Sequence, residues 1–320
     1  MDTLIVITGP TAVGKTSLTI EVARHYGIPV INADSRQIYR ELKIGTAAPT
    51  EEQLCQVQHY FVGTKSIEDY YNASMYEQEV LGMMGNREFQ AGACLRAGRE
   101  PASATPNLWL MSGGSMMYID AVCNGIDDIP TVRDDIREEM KRRLRDEGLE
   151  ALAEELRQLD PEHWAIVDRQ NPRRVVHALE ICHQTGRTYT SFRRREAEMQ
   201  GDGHGTRPFR TIKIGLARGR ADIYNRINAR VDAMMAEGFL AEAEGLYDRR
   251  GLNALNTVGY KELFDYMDGR WPLAEALERI KGNTRRYARK QLTWFKRDAD
   301  VRWFHPDDVG EILRYIDSNM

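Results

Sequence analysis

The chain has 320 residues, 42% of them hydrophobic and 29% charged, a length that calls for two domains or one domain with a large insertion. Its composition excludes collagenous, fibrous and mainly disordered classes, and no apolar run reaches the roughly 20 residues of a membrane span. The net charge is −4, so a nucleic-acid partner has to be met by a local basic surface rather than by a basic protein.

The opening reads strand, glycine loop, helix. Leu4 to Thr8 is a short β-branched run, Gly9 to Gly14 the loop, and Thr16 to Tyr26 continues with helical periodicity to Gly27. Further strands are predicted at Pro29 to Ile31, Tyr60 to Val62, Leu108 to Met111 and Ile212 to Leu216. Short strands alternating with helices predict an α/β fold around a parallel sheet. From about Pro130 to Phe209 only helices are expected, with stripes at Ile136, Met140, Leu144 and at Leu149, Leu152, Leu156, Leu159. Asn171-Pro172 is an N-cap with proline at the first helical position, and Gly186 ends that helix. The expected division is a core formed by 1–129 and 207–320 and an inserted helical domain at 130–206. Ala97 to Asn107 and Gly201 to Pro208 read as loops. After Leu216 the chain is expected to be helical almost to its end, including Lys281 to Arg297, which contains no acid.

Cys55, Cys94, Cys123 and Cys182 are scattered, with no Cys-x-x-Cys pair. That argues against a zinc site or a disulfide framework and fits a reducing cytosol. Leu4 to Ile7 is too short for a signal peptide, so a cytoplasmic monomer without a membrane partner is expected. His59, His177 and His183 lack metal-type spacing and read as packing or capping residues.

Gly9-Pro10-Thr11-Ala12-Val13-Gly14-Lys15-Thr16 fits G-x-x-x-x-G-K-[ST] at every position, between a strand and a helix. In a chain this long the pattern arises by accident only about 0.01 times. Backbone amides and the helix N-terminus form an anion nest, Lys15 adds a point charge, and the Thr16 hydroxyl suits Mg²⁺. Asp34 closes the second strand, and parallel strand ends share one crevice, so Asp34 should face this loop. Standing alone, the segment also allows Asp34 to be a helix N-cap.

Three stretches carry a resemblance. Gly9 to Thr16, Asn32-Ala33-Asp34-Ser35-Arg36-Gln37-Ile38-Tyr39 and Gly113-Gly114-Ser115-Met116-Met117-Tyr118 resemble the motifs of the tRNA dimethylallyltransferases, the IPP transferase family. The likeness continues through Asp160-Pro161, Asn171-Pro172-Arg173-Arg174 with Ala178-Leu179-Glu180, and Thr185-Gly186. It resumes at Tyr224 to Asp232, Val258-Gly259-Tyr260-Lys261-Glu262 and Thr284 to Trp294, covering nearly the whole chain in order.

The resemblance implies a P-loop NTPase-like core with an inserted all-helical domain. It implies transfer of a dimethylallyl group from dimethylallyl diphosphate to N6 of the adenosine just 3′ of the anticodon, in tRNAs reading codons that begin with U. Asp34 would be the general base and the Ser115 hydroxyl a second catalytic contact. Gly9 to Thr16 and Arg226 would bind diphosphate, or a nucleotide such as ATP, with Mg²⁺ on Thr16. Asp34, Ser35, Arg36, Gln37 and Ser115 would meet the extruded adenine. Arg137, Arg173, Arg174, Val175, Val176 and His177 would contact the anticodon stem-loop. The acid-free segment adds Arg285 and Arg289 as phosphate-backbone contacts. The chain departs from the family in having Ser115 and Met116 where Thr-Gly is usual, His177 where Arg is common, and a longer segment between Gln90 and Asn107.

Physical logic supports that chemistry. An exocyclic adenine amine is a poor nucleophile until a base takes its proton, and a departing diphosphate needs its charge neutralised. A P-loop small-molecule or nucleotide kinase shares the loop but gives no reason for the acid-free helix. A non-catalytic RNA-binding P-loop protein leaves Asp34 and Ser115 idle. The Arg193-Arg194-Arg195 run, followed by Glu196 and Glu198, fits a solvated turn or a phosphate contact equally.

Overall fold

The computed structural model describes residues 2–86, 108–127, 129–193 and 207–320. Six parallel strands form one sheet in the order β3-β2-β4-β1-β5-β6. They are β1 (Asp2–Thr8), β2 (Val30–Asn32), β3 (His59–Tyr60), β4 (Leu108–Gly113), β5 (Phe209–Leu216) and β6 (Arg302–Phe304). β1 is apolar without alternation because both faces of the sheet are covered. Leu4 and Val6 enter one core with Trp109, Met111 and Tyr76, while Ile5 and Ile7 enter another with Leu18, Val22 and Ile214.

The helices of this unit are α1 (Lys15–Tyr26), α2 (Glu51–Gln56), α3 (Ala73–Gly85), α4 (Met116–Asn124), α9 (Arg220–Ala236), α10 (Phe239–Glu244), α11 (Tyr260–Met267), α12 (Leu273–Phe295) and α13 (Val309–Ser318). α1 ends as expected at Gly27, whose φ of 65° lets its N–H bond back to Ala23. The strand expected at 60–62 stops at Tyr60, because Phe61 adopts φ 63° and leaves the extended region. The stretch after Leu216 is not wholly helical: β6 adds an edge strand beside β5. Three residues with an exposed Arg302 are too few to show a strand pattern.

The chain divides into two compact units, 1–123 with 207–320, and 124–206. Among its described residues the second contains helices and no strand: α5 (Asp134–Asp146), α6 (Gly148–Leu159), α7 (Pro161–Ile166) and α8 (Pro172–Thr185). Its core joins Met140, Leu152 and Leu156 to Val175, Val176 and Leu179. Asn171 caps α8 through Arg174 N at 3.4 Å, with Pro172 at the first position, and Gly186 ends it at φ 65°. The segment before α5 is tied to α8 within this unit: Arg133 N donates to Gln184 Oε1 and Gln184 Nε2 to Thr131 O. The loop expected at 97–107 and residues 201–206 of the one expected at 201–208, together with Cys94, Arg194 and Arg195, lie outside the described residues.

Candidate active site

The phosphate loop is shaped by its backbone. Gly9 lies at φ 151°, and a Cβ there would sit 2.8 Å from the Leu216 carbonyl oxygen, so only glycine fits beside β5. Ala12 takes φ 64° and Gly14 φ 113°, which turns successive amides toward one concavity. No side chain caps α1, and its first N–H groups are therefore available to an anion. Three arginines hold the loop through hydrogen bonds. Arg218 Nε donates to Val13 O at 2.9 Å, Arg226 Nε to Ala12 O at 2.8 Å, and Arg230 Nη1 to the Thr11 hydroxyl at 3.3 Å.

Lys15 Nζ donates to the carbonyls of Gly9 and Pro10, both at 2.9 Å. An ammonium has three hydrogens, so one remains for a ligand. Burial brings its pKa down to about 8, Asp34 opposing that fall and Arg230 reinforcing it. Burial also lowers the Arg230 pKa, again against the pull of Asp34. The Thr16 hydroxyl is exposed, lines the same cleft and has no partner among the described residues.

The Asp34 side is built from side chains. Ala33 N donates to Ser112 O at 2.8 Å and Ser115 N to Ala33 O at 3.0 Å, joining the ends of β2 and β4. Gly113 permits this closeness, since a Cβ there would lie 2.1 Å from Ala33 O. Asp34 Oδ1 accepts from Arg36 N at 2.9 Å and Gln37 N at 3.3 Å. It caps a turn, since no helix follows it for an N-cap role. Arg36 Nη1 reaches the carbonyls of Asn253 and Ala254, both at 3.0 Å, while Gln37 Nε2 donates to Thr46 O and Ala47 O at 3.1 and 3.0 Å.

Two cavities meet at this turn. One of about 450 Å³ contains Lys15, Thr16, Arg226, Gln37 and the loop. The other, about 550 Å³, is bordered by Arg36, Lys261, Arg286 and Lys290. Both are lined by Thr11, Asp34, Thr46, Arg230 and Tyr287, so Asp34 stands where an anion-binding lobe opens into a basic one. Burial, with Asp34 adding and Arg36 subtracting, pushes the Tyr287 phenol up to about 12.

Some expected site residues are placed differently. Ser115, expected as a second catalytic contact, lies buried beneath the Asp34 turn. It is 6% exposed, accepts from Ser35 N at 2.7 Å and donates to Ser35 Oγ at 3.0 Å, which makes it a brace for the Asp34 turn. Val175 and Val176 lie in the core of the helical unit and cannot present side chains to RNA. Arg173 and Arg174 are exposed on α8, His177 lies 3.3 Å from Glu180, and Arg137 lies 3.9 Å from Asp134.

The basic helix α12 is partly neutralised from outside its own sequence, because Lys281 pairs with Asp232 at 2.7 Å. Arg285 instead donates to Asn228 at 2.6 Å, and Arg289 and Arg220 both donate to the Tyr224 hydroxyl at 3.1 Å. These three guanidinium groups have no acidic partner among the described residues. Two residues with a part in the site were not expected. Arg230 follows Arg226 by one helical turn, a spacing that would have found it. Gln291 accepts from Thr11 N at 2.9 Å and donates to Gly114 O at 2.8 Å, and no local pattern announces that bridge.

A family model described as IPP transferase matches residues 37–298. The chain is 55% identical over 317 residues to tRNA dimethylallyltransferase 1 of Phocaeicola vulgatus, covering 99% of this chain and 98% of that protein. It is 52% identical over 318 residues to tRNA dimethylallyltransferase 1 of Bacteroides fragilis, with 99% and 98% covered. Among solved structures, the full-length tRNA isopentenylpyrophosphate transferase of Bacillus halodurans superposes with a TM-score of 0.67 at 33% identity, covering 99% of this chain and 96% of that one.

Proposed function

The chain belongs to the IPP transferase family, and we propose that it transfers a dimethylallyl group from dimethylallyl diphosphate to N6 of the adenosine immediately 3′ of the anticodon in tRNA. The observation that carries this reading is the position of Asp34 at the junction of the phosphate-loop cavity and the basic cavity. Two substrates entering from the two sides meet at that carboxylate.

In the reaction, Asp34 accepts a proton from the exocyclic amine as the nitrogen lone pair forms the new C–N bond. The allylic C–O bond breaks, and its electron pair leaves with diphosphate. The loop amides, Lys15 and Arg226 receive the charge that develops on the leaving group, and Arg230 adds a half-buried cation beside them. The Asp34 turn is held by Ser115, whose own hydrogen bonds keep the carboxylate facing the cleft.

Thr16 fits a hard cation, because its hydroxyl is exposed in the cleft and unpartnered. Among the described residues no cluster of three or more His, Cys, Asp or Glu forms a metal cage, so Mg²⁺ would share its ligands with the diphosphate. Such an ion supplies neutralisation of the leaving group. Arg36, Arg285 and Arg289 offer the RNA backbone its counter-charge, with Arg173 and Arg174 doing so on the helical unit. No helix among the described residues is long and apolar enough to cross a membrane, and we place the enzyme in the cytoplasm with its tRNA substrates.

The test is to incubate the protein with an unmodified anticodon stem-loop and either labelled dimethylallyl diphosphate or γ-labelled ATP. Label is expected in the RNA from the prenyl donor only. Phosphoryl transfer from ATP to a small acceptor, without prenyl transfer, would replace this reading by a kinase.

A further inference from the structure

We infer that Glu242, with Tyr260, is a positioning residue that locks the Gln37 amide so that only its carbonyl oxygen faces the substrate, making the site select a base that carries an exocyclic amine. The inference rests on the proposed action on adenine and adds how that base is told from a 6-oxo purine.

The lock starts on α10, far from the phosphate loop in sequence. Glu242 Oε2 accepts from Lys43 N at 3.0 Å and Ile44 N at 2.8 Å, and Oε1 accepts from Gly45 N at 2.8 Å and the Tyr260 hydroxyl at 2.5 Å. Three consecutive backbone amides on one carboxylate fix the local path of the chain, as in an anion nest whose anion is internal. Packing fixes it further, since a Cβ on Gly45 would lie 2.2 Å from Phe239 and 2.6 Å from the Tyr260 hydroxyl.

The next two residues carry the consequence. The carbonyls of Thr46 and Ala47, the latter at φ 46°, accept from Gln37 Nε2 at 3.1 and 3.0 Å. An amide nitrogen has two hydrogens, and both are thereby engaged. Rotating the amide by half a turn would press Oε1 against two carbonyl oxygens, which forbids the flip. Gln37 lines the same cavity as Asp34 and offers it only an acceptor. An adenine amine has two hydrogens, one for Asp34 and one for Gln37 Oε1. Hypoxanthine and guanine carry a carbonyl oxygen at that position and would set acceptor against acceptor, leaving buried groups unpaired.

Anticodon stem-loops with adenosine or inosine at the target position test this by fluorescence anisotropy. The wild-type protein is expected to prefer adenosine by about tenfold, and Gln37→Leu to lose that preference. Glu242→Gln puts a donor against a backbone N–H and should shrink the ratio at least threefold. Tyr260→Phe, which keeps the packing and removes one bond to Glu242, should shrink it by a smaller factor, and it carries the test if Glu242→Gln does not fold. General loosening of the fold would weaken both stem-loops alike and leave the ratio unchanged. A wild-type protein that transfers prenyl label but shows no preference, or variants that keep the full preference, would overturn this inference alone. Absence of label transfer by the wild type would overturn the proposed activity and this inference with it.

Discussion

The phosphate loop and the Asp34 turn follow β1 and β2, two strands of one sheet separated by β4, and are built by opposite means. In the loop the backbone does the binding. Gly9, Ala12 and Gly14 take unusual φ values, and no side chain caps α1, so donors stay available. In the Asp34 turn side chains satisfy the backbone: Asp34 caps residues 36 and 37, Ser115 braces Ser35, and Gln37 is tied to Thr46 and Ala47. An anion of variable surroundings needs available donors, whereas a proton acceptor needs one fixed direction. The two constructions meet through Gln291, which bonds to both the loop and Gly114.

Separating the ends of β2 and β4 should have the largest effect. Gly113→Ala would drive a methyl group to 2.1 Å from Ala33 O, and β2 and β4 would have to part. A loss of about 3 kcal/mol or more is expected in denaturant unfolding, and the Asp34 turn should lose activity before the protein unfolds.

On the other side, Lys15→Ala should weaken diphosphate binding by about 10- to 100-fold while tRNA affinity stays within a few-fold, measured by calorimetry and anisotropy. The pH dependence sharpens this. The Lys15 pKa is lowered to about 8 from 10.5, so the ammonium is charged in the folded protein below pH 8 and the burial cost is fully present there. As pH rises through 8 toward 10.5 that cost is relieved and folding gains stability from this group. Diphosphate, which needs the cation, should bind about tenfold more weakly for each pH unit above 8, and Lys15→Arg should remove the break. A flat profile in the wild type would contradict the electrostatic account of the loop.

The smallest expected effect lies on α12. Replacing Arg285 and Arg289 with Gln should lower tRNA affinity severalfold and reduce the slope of log K against log salt by about 0.7–0.9 for each phosphate lost. An unchanged slope would return those arginines to a solvated face.

Which parts were legible in the sequence follows from the same contrast. A backbone-built loop needs glycines and a lysine at fixed spacing, so it could be read residue by residue, with the strand before it and the helix after. The Asp34 side depends on partners distant in the chain: Gln291 from Gly114, Ser115 from Ser35, Glu242 from Gly45. No periodicity links such pairs, so the hydrogen bonds that join Ser115 to Ser35 could not be read from the sequence. Val175 and Val176 were grouped with exposed neighbours because the motif is continuous in sequence, while a helix divides it between two faces. β6 was missed because three residues carry no alternation.

Asp34→Asn separates proton transfer to Asp34 from every structural role of its side chain. Asn keeps the size and accepts from Arg36 N and Gln37 N as Asp does, so the turn should survive and thermal melting should be nearly unchanged. In single-turnover transfer, with saturating dimethylallyl diphosphate and an anticodon stem-loop, the account predicts a chemical step slower by about 10²–10⁴-fold with both substrates still bound. A variant that melts normally and transfers at a near-normal rate would contradict it.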